Sequence, residues 1–177
     1  MPGGISYKTK ADPRTYASQI PVFCSYDSIK KVEDLHPNPM NPNRHDEAQI
    51  KLLSEVIKAN GWRAPITVSK RSGMIVRGHG RLEAAKYAGL REVPVDYQDY
   101  GNDAEEFSDL LADNRIAELA SIDNVMLVDV FEHIDTGETP FELTGYMPED
   151  YKRIAETLDE ADHEKVVRRC PNCGAEL

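Results

Sequence analysis

A glycine-rich turn, Gly78-His79-Gly80-Arg81, stands between a predicted strand and a predicted helix. Glycines at such a junction allow backbone angles that a Cβ atom forbids, and they let a ligand approach the main chain. The free N–H groups at the start of the following helix favour an anion in the same space. Arg81, expected to face the surface, adds a planar donor suited to phosphate, and His79 could transfer a proton, bind metal or donate to a phosphate oxygen. The pattern is typical of phosphate binding, and the alternative is a tight turn whose polar residues point to water.

A second polar group lies on the predicted third helix, where Asn114 follows Phe107 by seven residues and Leu110 by four. This spacing places the Asn114 amide on the apolar stripe of the helix, so it needs a partner or a ligand. With its neighbour Asp113 it supplies the oxygen donors that Mg²⁺ prefers alongside phosphate and water. The alternative is an Asp-Asn pair that satisfies backbone groups at a helix end.

Two rigid loops with cationic side chains flank the first predicted helix. Asn41-Pro42-Asn43-Arg44-His45 precedes it, and Gly61-Trp62-Arg63-Ala64-Pro65 follows it. Either loop could line a ligand site or serve only as structural punctuation. Trp62 could stack on a base, although packing is the more common role of such a residue.

The elements that must position these residues follow from hydrophobic periodicity and turn signals. Residues 1–30 read as an extended arm with a short strand near Ile20–Cys24. The predicted helices cover residues 46–60, 82–88, 102 or 103 onward, 122–134 and 148–158, and the predicted strands cover 65–69, 74–77 and 93–95. The third helix is expected to begin with Asn102 or Asp103, with Glu106 as a capping-box partner of Asp103.

Length and composition limit the class of protein. The chain has 177 residues, of which 40% are hydrophobic and 29% charged, so it is neither disordered nor membrane-spanning. No apolar run approaches the length that spans a bilayer, and the N-terminus lacks the run of a signal peptide. Three cysteines exclude a disulfide scaffold and favour a reducing, cytoplasmic setting.

The net charge of −10 is unevenly distributed. Residues 36–95 hold ten Lys/Arg and five acids, whereas residues 96–164 hold 21 acids and three bases. A phosphate-bearing ligand is therefore expected to meet the first block. The alternative is two oppositely charged faces that only aid solubility.

The C-terminal tail contains Cys170-Pro171-Asn172-Cys173, which resembles half of a zinc ribbon. A closed structural zinc site needs four ligands. Cys24, His163 or a second chain could complete it, and the other interpretation is a motif without metal.

The motifs together resemble the ParB N-terminal / sulfiredoxin-like superfamily over about Val32 to Ile122. The matching residues are the 41–45 box, Gly61 with Pro65-Ile-x-Val68, Ile75-Val-x-Gly78-His-Gly-Arg81, Gly89 with Val93-Pro94-Val95, and Leu111-Ala-Asp-Asn-Arg115. The closest type is the phage or mobile-element one found with DNA methyltransferases. Compared with ParB proteins, His79 and Gly80 replace a Glu and an Arg, and no helix-turn-helix domain follows. The turn also lacks the Cys that sulfiredoxin carries.

The resemblance implies a small mixed α/β sheet with flanking helices and a nucleoside triphosphate site. It implies phosphate binding at Gly78, Gly80 and Arg81, with a nucleotide pocket lined by Gly61 and Pro65. It also implies Mg²⁺ at Asp113 and Asn114. We add Arg44 and His45 as candidate phosphate contacts. The expected division is an arm (1–30), a nucleotide-binding core (31–121), an acidic helical appendage (122–164) and a Cys-x-x-Cys tail (165–177).

The preferred function is binding of CTP or ATP with Mg²⁺-dependent phosphoryl chemistry, either NTP hydrolysis or DNA cleavage, in a DNA-related setting. His79 would be the acid/base and Arg81 would stabilise charge. One alternative is a non-catalytic adaptor for a DNA methyltransferase or a similar partner, and another is a kinase on the same fold. The expected partners are a nucleotide, DNA, and a DNA methyltransferase or another DNA-modification protein. The sequence is also compatible with a homodimer, and no association with a membrane is expected.

Overall fold

A four-stranded mixed sheet organises the first part of the chain. The computed structural model describes residues 12–134 and 140–158. The chain divides into two compact units, Met1–Leu119 and Ala120–Leu177, and each is described by itself. The strands of the first unit are β1 (Thr15–Ala17), β2 (Ile20–Val22), β3 (Ser28–Lys31), β4 (Ile66–Ser69), β5 (Ile75–Arg77) and β6 (Glu92–Gln98). Its helices are α1 (Glu47–Asn60), α2 (His79–Tyr87) and α3 (Asp103–Glu118), and a short 3₁₀ helix covers Val32–Asp34.

The sheet has the order β3-β6-β4-β5, with β4 parallel to β6 and the other neighbours antiparallel. All four residues of β4 are buried, as expected for a central strand covered on both faces. Helix α2 connects β5 to β6, and α1 packs against α2. The core combines branched side chains of the sheet with α1 and α2, chiefly Ile57, Trp62, Ile66, Val68, Ile75, Leu82, Ala84, Ala85, Val93 and Val95.

A separate hairpin of β1 and β2 packs onto this core. Its turn residues Ser18 and Gln19 both have positive φ, 49° and 69°. This pattern is typical of two-residue hairpin turns whose backbone twist matches the right-handed twist of the flanking strands. The Ser18 hydroxyl accepts hydrogen bonds from the N–H groups of Arg91 and Glu92, at 2.8 and 2.7 Å. The strand predicted near Ile20–Cys24 is confirmed, and the stretch predicted as an arm therefore contains three strands from residue 15 onward.

The second unit contains α4 (Asn124–Ile134), a 3₁₀ turn (Phe141–Thr144) and α5 (Pro148–Thr157). Phe131 is buried and makes edge contacts with Phe141, Tyr146 and Tyr151, at centroid distances of 4.9, 5.1 and 5.8 Å. Pro148 opens α5 as predicted, since the first helical position needs no N–H donor. No helix within 12–134 and 140–158 has the length and apolarity to cross a membrane.

The predicted mixed α/β fold with C-terminal helices is confirmed, but two local predictions are wrong. Helix α2 begins at His79 rather than Leu82, because Gly78 adopts the left-handed conformation and serves as the N-cap. Asn102, one of the two predicted caps of α3, is confirmed, but its side chain accepts from Glu105 N, so the predicted capping-box pair of Asp103 and Glu106 is wrong. The four-part division stays a prediction, since its tail lies outside the described residues.

Candidate phosphate-binding site

The N-terminus of α2 opens directly from strand β5. Gly78 has φ 91° and ψ 27°, and the first intrahelical hydrogen bond runs from Leu82 N to Gly78 O at 3.0 Å. The N–H groups of His79, Gly80 and Arg81 precede that bond and are free of intrahelical acceptors. A Cβ atom at Gly78 would lie 2.9 Å from Nη1 of Arg81. The backbone angle therefore favours glycine here, and a Cβ atom at this position would shift the Arg81 guanidinium.

A cavity of about 190 Å³ lies in front of this helix terminus. Its walls combine the glycine-rich turn with the loop before α1 and with the middle of α3. The lining residues are Asn41, Asn43, His45, Leu53, Val76, Arg77, Gly78, His79, Gly80, Arg81, Asp113 and Asn114. The structure thus brings together the turn, the 41–45 box and the Asp-Asn pair, which are far apart in sequence.

Arg81 is the cation of this cavity that lacks a carboxylate partner. Its Nη1 donates to the Pro65 carbonyl at 3.0 Å, and within the described part of the chain no carboxylate lies at ion-pair distance. Burial lowers the pKa of Arg81, whereas the charge of Asp113 acts in the opposite direction. The expectation of a surface-facing Arg81 is wrong, because the side chain is partly buried against Pro65 and Gly78. A partly buried guanidinium with one neutral acceptor is well suited to bind an anion.

Arg77, at the other end of the turn, is already neutralised by α3. Its Nη2 donates to Asp109, and its Nε lies 3.8 Å from Oδ1 of Asp113. The Tyr100 hydroxyl donates to the second oxygen of Asp109 at 2.6 Å. Burial alone would raise the pKa of Asp109, but the hydrogen bonds from Arg77 and Tyr100 outweigh it and hold that pKa below its ordinary value. Arg77 therefore fixes α3 beside the turn.

Two imidazoles line the cavity in different hydrogen-bonding states. Nε2 of His79 accepts from the N–H of Asn38 at 3.2 Å. Burial lowers the pKa of His79, the charge of His45 lowers it further, and Glu83 opposes both effects. Nδ1 of His45 lies 3.0 Å from Oε1 of Gln49, and the His45 ring lies against Gly80.

The Asp113–Asn114 pair forms the α3 wall of the cavity. The Asn114 amide donates through Nδ2 to the Leu110 carbonyl at 3.3 Å, which leaves its Oδ1 free to accept or to ligate. No group of three or more His, Cys, Asp or Glu residues that could hold a metal occurs among the described residues. One carboxylate and one amide oxygen nevertheless fit Mg²⁺ when phosphate oxygens and water complete its shell.

Several predicted site residues lie elsewhere. Gly61 and Arg44 do not line the cavity, and Pro65 reaches it only through its carbonyl contact with Arg81. Gly61 instead packs on the hairpin, where a Cβ atom would lie 2.6 Å from the Pro21 carbonyl oxygen. Trp62 is 1% exposed, which confirms packing as its role. Cys24 is half-buried, and the predicted zinc ligands Cys170 and Cys173 lie outside the described residues.

Sequence reasoning missed Arg77, Asp109, Asn38 and Gln49. The sequence contained a usable signal for Asp109, because it lies four residues before the predicted site residue Asp113 and therefore shares its helix face. The contact between Asn38 and His79 spans 41 positions and has no local signature.

A family model described as the ParB N-terminal domain matches residues 25–121. This chain belongs to that family. The ParB N-terminal domain therefore covers the sheet from β3 onward, the glycine-rich turn and α3. The hairpin of β1 and β2 and the helices α4 and α5 of the second unit lie outside the match.

Curated relatives of this ParB-family chain include two bacterial proteins. The "ParB-like nuclease domain-containing protein YnaK" of Escherichia coli (strain K12) is 35% identical over 66 residues, 37% of this chain and 75% of that protein. "Stage 0 sporulation protein J" of Bacillus subtilis (strain 168) is 30% identical over 109 residues, 59% of this chain. The chain spans 39% of the length of the Bacillus protein, so that protein has much that this match does not cover.

One solved structure shows the same fold. It is the C-terminally truncated chromosome-partitioning protein ParB from Caulobacter crescentus, complexed with CTP-γ-S. The TM-score is 0.60 at 23% identity, and the match covers 77% of this chain and 82% of that one.

Proposed function

We propose that this chain binds a nucleoside triphosphate, with CTP as the first candidate, and that the phosphates occupy the cavity at the N-terminus of α2. The observation that carries the proposal is Arg81, a partly buried cation with no carboxylate partner among the described residues, beside three free N–H groups. The CTP analogue named for the Caulobacter protein supports the choice of nucleotide.

The roles of the individual residues follow from their positions. The N–H groups of His79, Gly80 and Arg81 donate to phosphate oxygens, and the Arg81 guanidinium neutralises part of their charge. Because the cavity holds about 190 Å³, it accommodates the phosphates, and the nucleoside lies toward its mouth. Asp113 and Asn114 would hold Mg²⁺, which when bound neutralises charge that develops on the transferred phosphoryl group.

Mg²⁺-dependent phosphoryl chemistry belongs to the same proposal. Hydrolysis of the triphosphate is the preferred reaction, and cleavage of a DNA phosphodiester or phosphoryl transfer to another acceptor are its alternatives. We assign the neutralising role to Arg81 and keep His79 as the proposed acid/base, which would act through Nδ1 because its Nε2 accepts from Asn38. The setting is cytoplasmic in this proposal.

A ligand screen tests the proposal directly. Full-length protein is titrated with CTP, ATP, GTP and UTP, with and without Mg²⁺, by calorimetry and thermal shift. A nucleotide at 100 times its dissociation constant should stabilise the fold by about 2.7 kcal/mol. In the Asp113→Ala/Asn114→Ala variant the dependence on Mg²⁺ should vanish while binding without Mg²⁺ persists. Absence of binding by all four nucleotides would refute the proposal.

DNA is a second proposed ligand, supported by surface charge. Arg44, Lys51, Lys58 and Arg63 are exposed, and within the described part of the chain none has a carboxylate at ion-pair distance. Chromosome partitioning, named for ParB relatives, is also a DNA-related process. We expect weak binding with a shallow salt dependence, about 0.9 in log affinity per log salt for each phosphate neutralised. No binding at about 50 mM salt, to duplex or single strand, would remove direct action on DNA.

An adaptor role for a DNA methyltransferase or another DNA-modification protein is the alternative function. Exposed apolar side chains on α3 and α4, including Leu111, Ile116 and Met126, favour a protein partner or a second copy of the chain. Nucleotide binding without any turnover, together with capture of a methyltransferase by the full chain, would favour this alternative over the enzyme.

A further inference from the structure

The two imidazoles of the cavity are not equivalent, because one has its Nε2 occupied and the other does not. His79 uses the Nε2 lone pair to accept from the Asn38 N–H, so its remaining nitrogen is a fixed Nδ1–H donor. The Asn38 N–H cannot accept a proton in return. Protonation of His79 at Nε2 would therefore break this hydrogen bond, because the Nε2–H and Asn38 N–H groups would then point at each other.

His45 has the opposite arrangement. The Gln49 Oε1 atom is an acceptor, so Nδ1 of His45 carries the hydrogen of their 3.0 Å contact. The neutral ring then holds its lone pair on Nε2, and no hydrogen-bond partner of this atom occurs among the described residues. Gln49 lies one turn along α1 from His45 and thereby fixes the orientation of the ring.

Gly80 makes room for this ring at the helix terminus. A Cβ atom at Gly80 would lie 3.2 Å from Cε1 and 3.3 Å from Nε2 of His45. A Cβ atom at position 80 would push the imidazole by a few tenths of an ångström. Gly80 and His45 therefore act as a matched pair that brings Nε2 to the place where phosphate oxygens are expected.

We infer that His45 contacts the phosphates through Nε2 and that it takes up a proton at this atom when they bind. This inference rests on the proposed function. A lone pair facing phosphate oxygens is repulsive, and a proton between the two atoms converts the contact into a charge-assisted hydrogen bond.

The surrounding charges are consistent with proton uptake only when the ligand is present. Without ligand, Arg81 is the cation of the cavity that lacks a carboxylate partner among the described residues, and it opposes a further positive charge. A triphosphate brings several negative charges and reverses the balance. The charged or titratable groups that line the cavity with His45 are His79 and Arg81 of α2, Arg77 of β5 and Asp113 of α3, and Asp46 follows His45 in its own loop.

Calorimetry in buffers of different ionisation enthalpy measures this proton. Full-length protein is titrated with CTP at pH 7.5 in HEPES and in Tris, and the slope of the binding enthalpy gives the protons taken up. Relative to wild type, the His45→Gln variant should lose about half a proton or more per CTP bound. The matched control is His36→Gln, because His36 is exposed and does not line the cavity, and its uptake should equal that of wild type.

An ¹⁵N spectrum of the imidazoles tests the same inference without a variant. On addition of CTP, His45 should become doubly protonated, while His79 should keep its Nδ1–H form. Equal uptake in wild type and His45→Gln, or double protonation of His79 instead, would overturn the inference and leave the proposed function standing. Absence of CTP binding would overturn both.

Discussion

The carboxylate of Glu106, 3% exposed in the first turn of α3, accepts a hydrogen bond of 2.7 Å from the hydroxyl of Ser69 at the end of β4. Its other oxygen accepts from Ser72 at 2.5 Å, within the turn between β4 and β5. Arg71 of the same turn pairs with Asp103. These contacts hold the start of α3 on the sheet and so help to place Asp113 and Asn114 beside the glycine-rich turn.

Replacement of Glu106 should destabilise the protein. In Glu106→Ala the buried Ser69 hydroxyl loses its acceptor, and we expect a loss of about 2 kcal/mol in the free energy of unfolding, measured with urea. Glu55→Ala is the matched control, because Glu55 is an exposed helical residue, and it should change stability by less than about 0.5 kcal/mol. Equal effects of the two variants would contradict the role given to Glu106.

Alanine substitution at two glycines with left-handed backbone angles distinguishes the cost of backbone strain from an effect on the cavity. Replacement of Gly78 (φ 91°) or of Gly73 (φ 73°) by Ala should lower the free energy of unfolding of the protein by about 1 kcal/mol in each case. Only at Gly78 does the new Cβ meet a side chain, Nη1 of Arg81 at 2.9 Å, whereas at Gly73 nothing lies within 4 Å. Gly78→Ala should therefore weaken CTP binding and Gly73→Ala should not, as measured by calorimetry. Similar affinities would show that the guanidinium position is unimportant.

Arg81→Ala should reduce both affinity and stability. We expect CTP affinity to fall at least about tenfold, because a charge-assisted hydrogen bond to phosphate is lost. Stability should fall by about 1 kcal/mol, because the hydrogen bond to the Pro65 carbonyl is also lost. Arg91→Ala, a change of an exposed arginine outside the cavity, serves as the control. Unchanged affinity in a folded Arg81→Ala protein would exclude this cavity as the phosphate site.

His79 should make the protein less stable in acid. Its pKa in the folded state is lowered from 6.5, so below pH 6.5 the unfolded chain binds more protons and stability falls as the pH decreases. In His79→Gln, whose side-chain carbonyl can still accept from Asn38, this loss should be smaller. The comparison is urea unfolding between pH 7.5 and 5, with His36→Gln expected to follow wild type. Parallel curves for His79→Gln and wild type would contradict the assignment.

The sequence was sufficient for features that depend on local chemistry. A strand, a glycine-rich turn and a helix at 75–87 follow from residue types within a dozen positions, as does the stop of α1 at Gly61. The inward face of α3 was not predictable in the same way. Leu110 is buried, but Phe107 of the predicted apolar stripe is 39% exposed, and Leu111, the apolar residue next to Leu110, is 51% exposed.

The reason is that polar contacts set the orientation of α3. Glu106 is held by two serines, and Asp109 and Asp113 face Arg77, so carboxylates rather than apolar residues mark the side toward the sheet. Hydrophobic periodicity cannot detect such a face. The partners also lie about 30 to 40 positions away, where spacing carries no information.

Because the hairpin of β1 and β2 packs on the core, the folded unit begins before the segment that the family model matches. The family match begins at residue 25, yet Ala17 and Val22 are fully buried and Val22 pairs with Trp62. A fragment that starts at residue 25 would uncover the indole and lose the serine that binds the start of β6. We expect such a fragment to show a red-shifted tryptophan emission and a lower melting temperature than one that starts at residue 12. Domain boundaries drawn from family similarity would thus remove a segment that stabilises this chain.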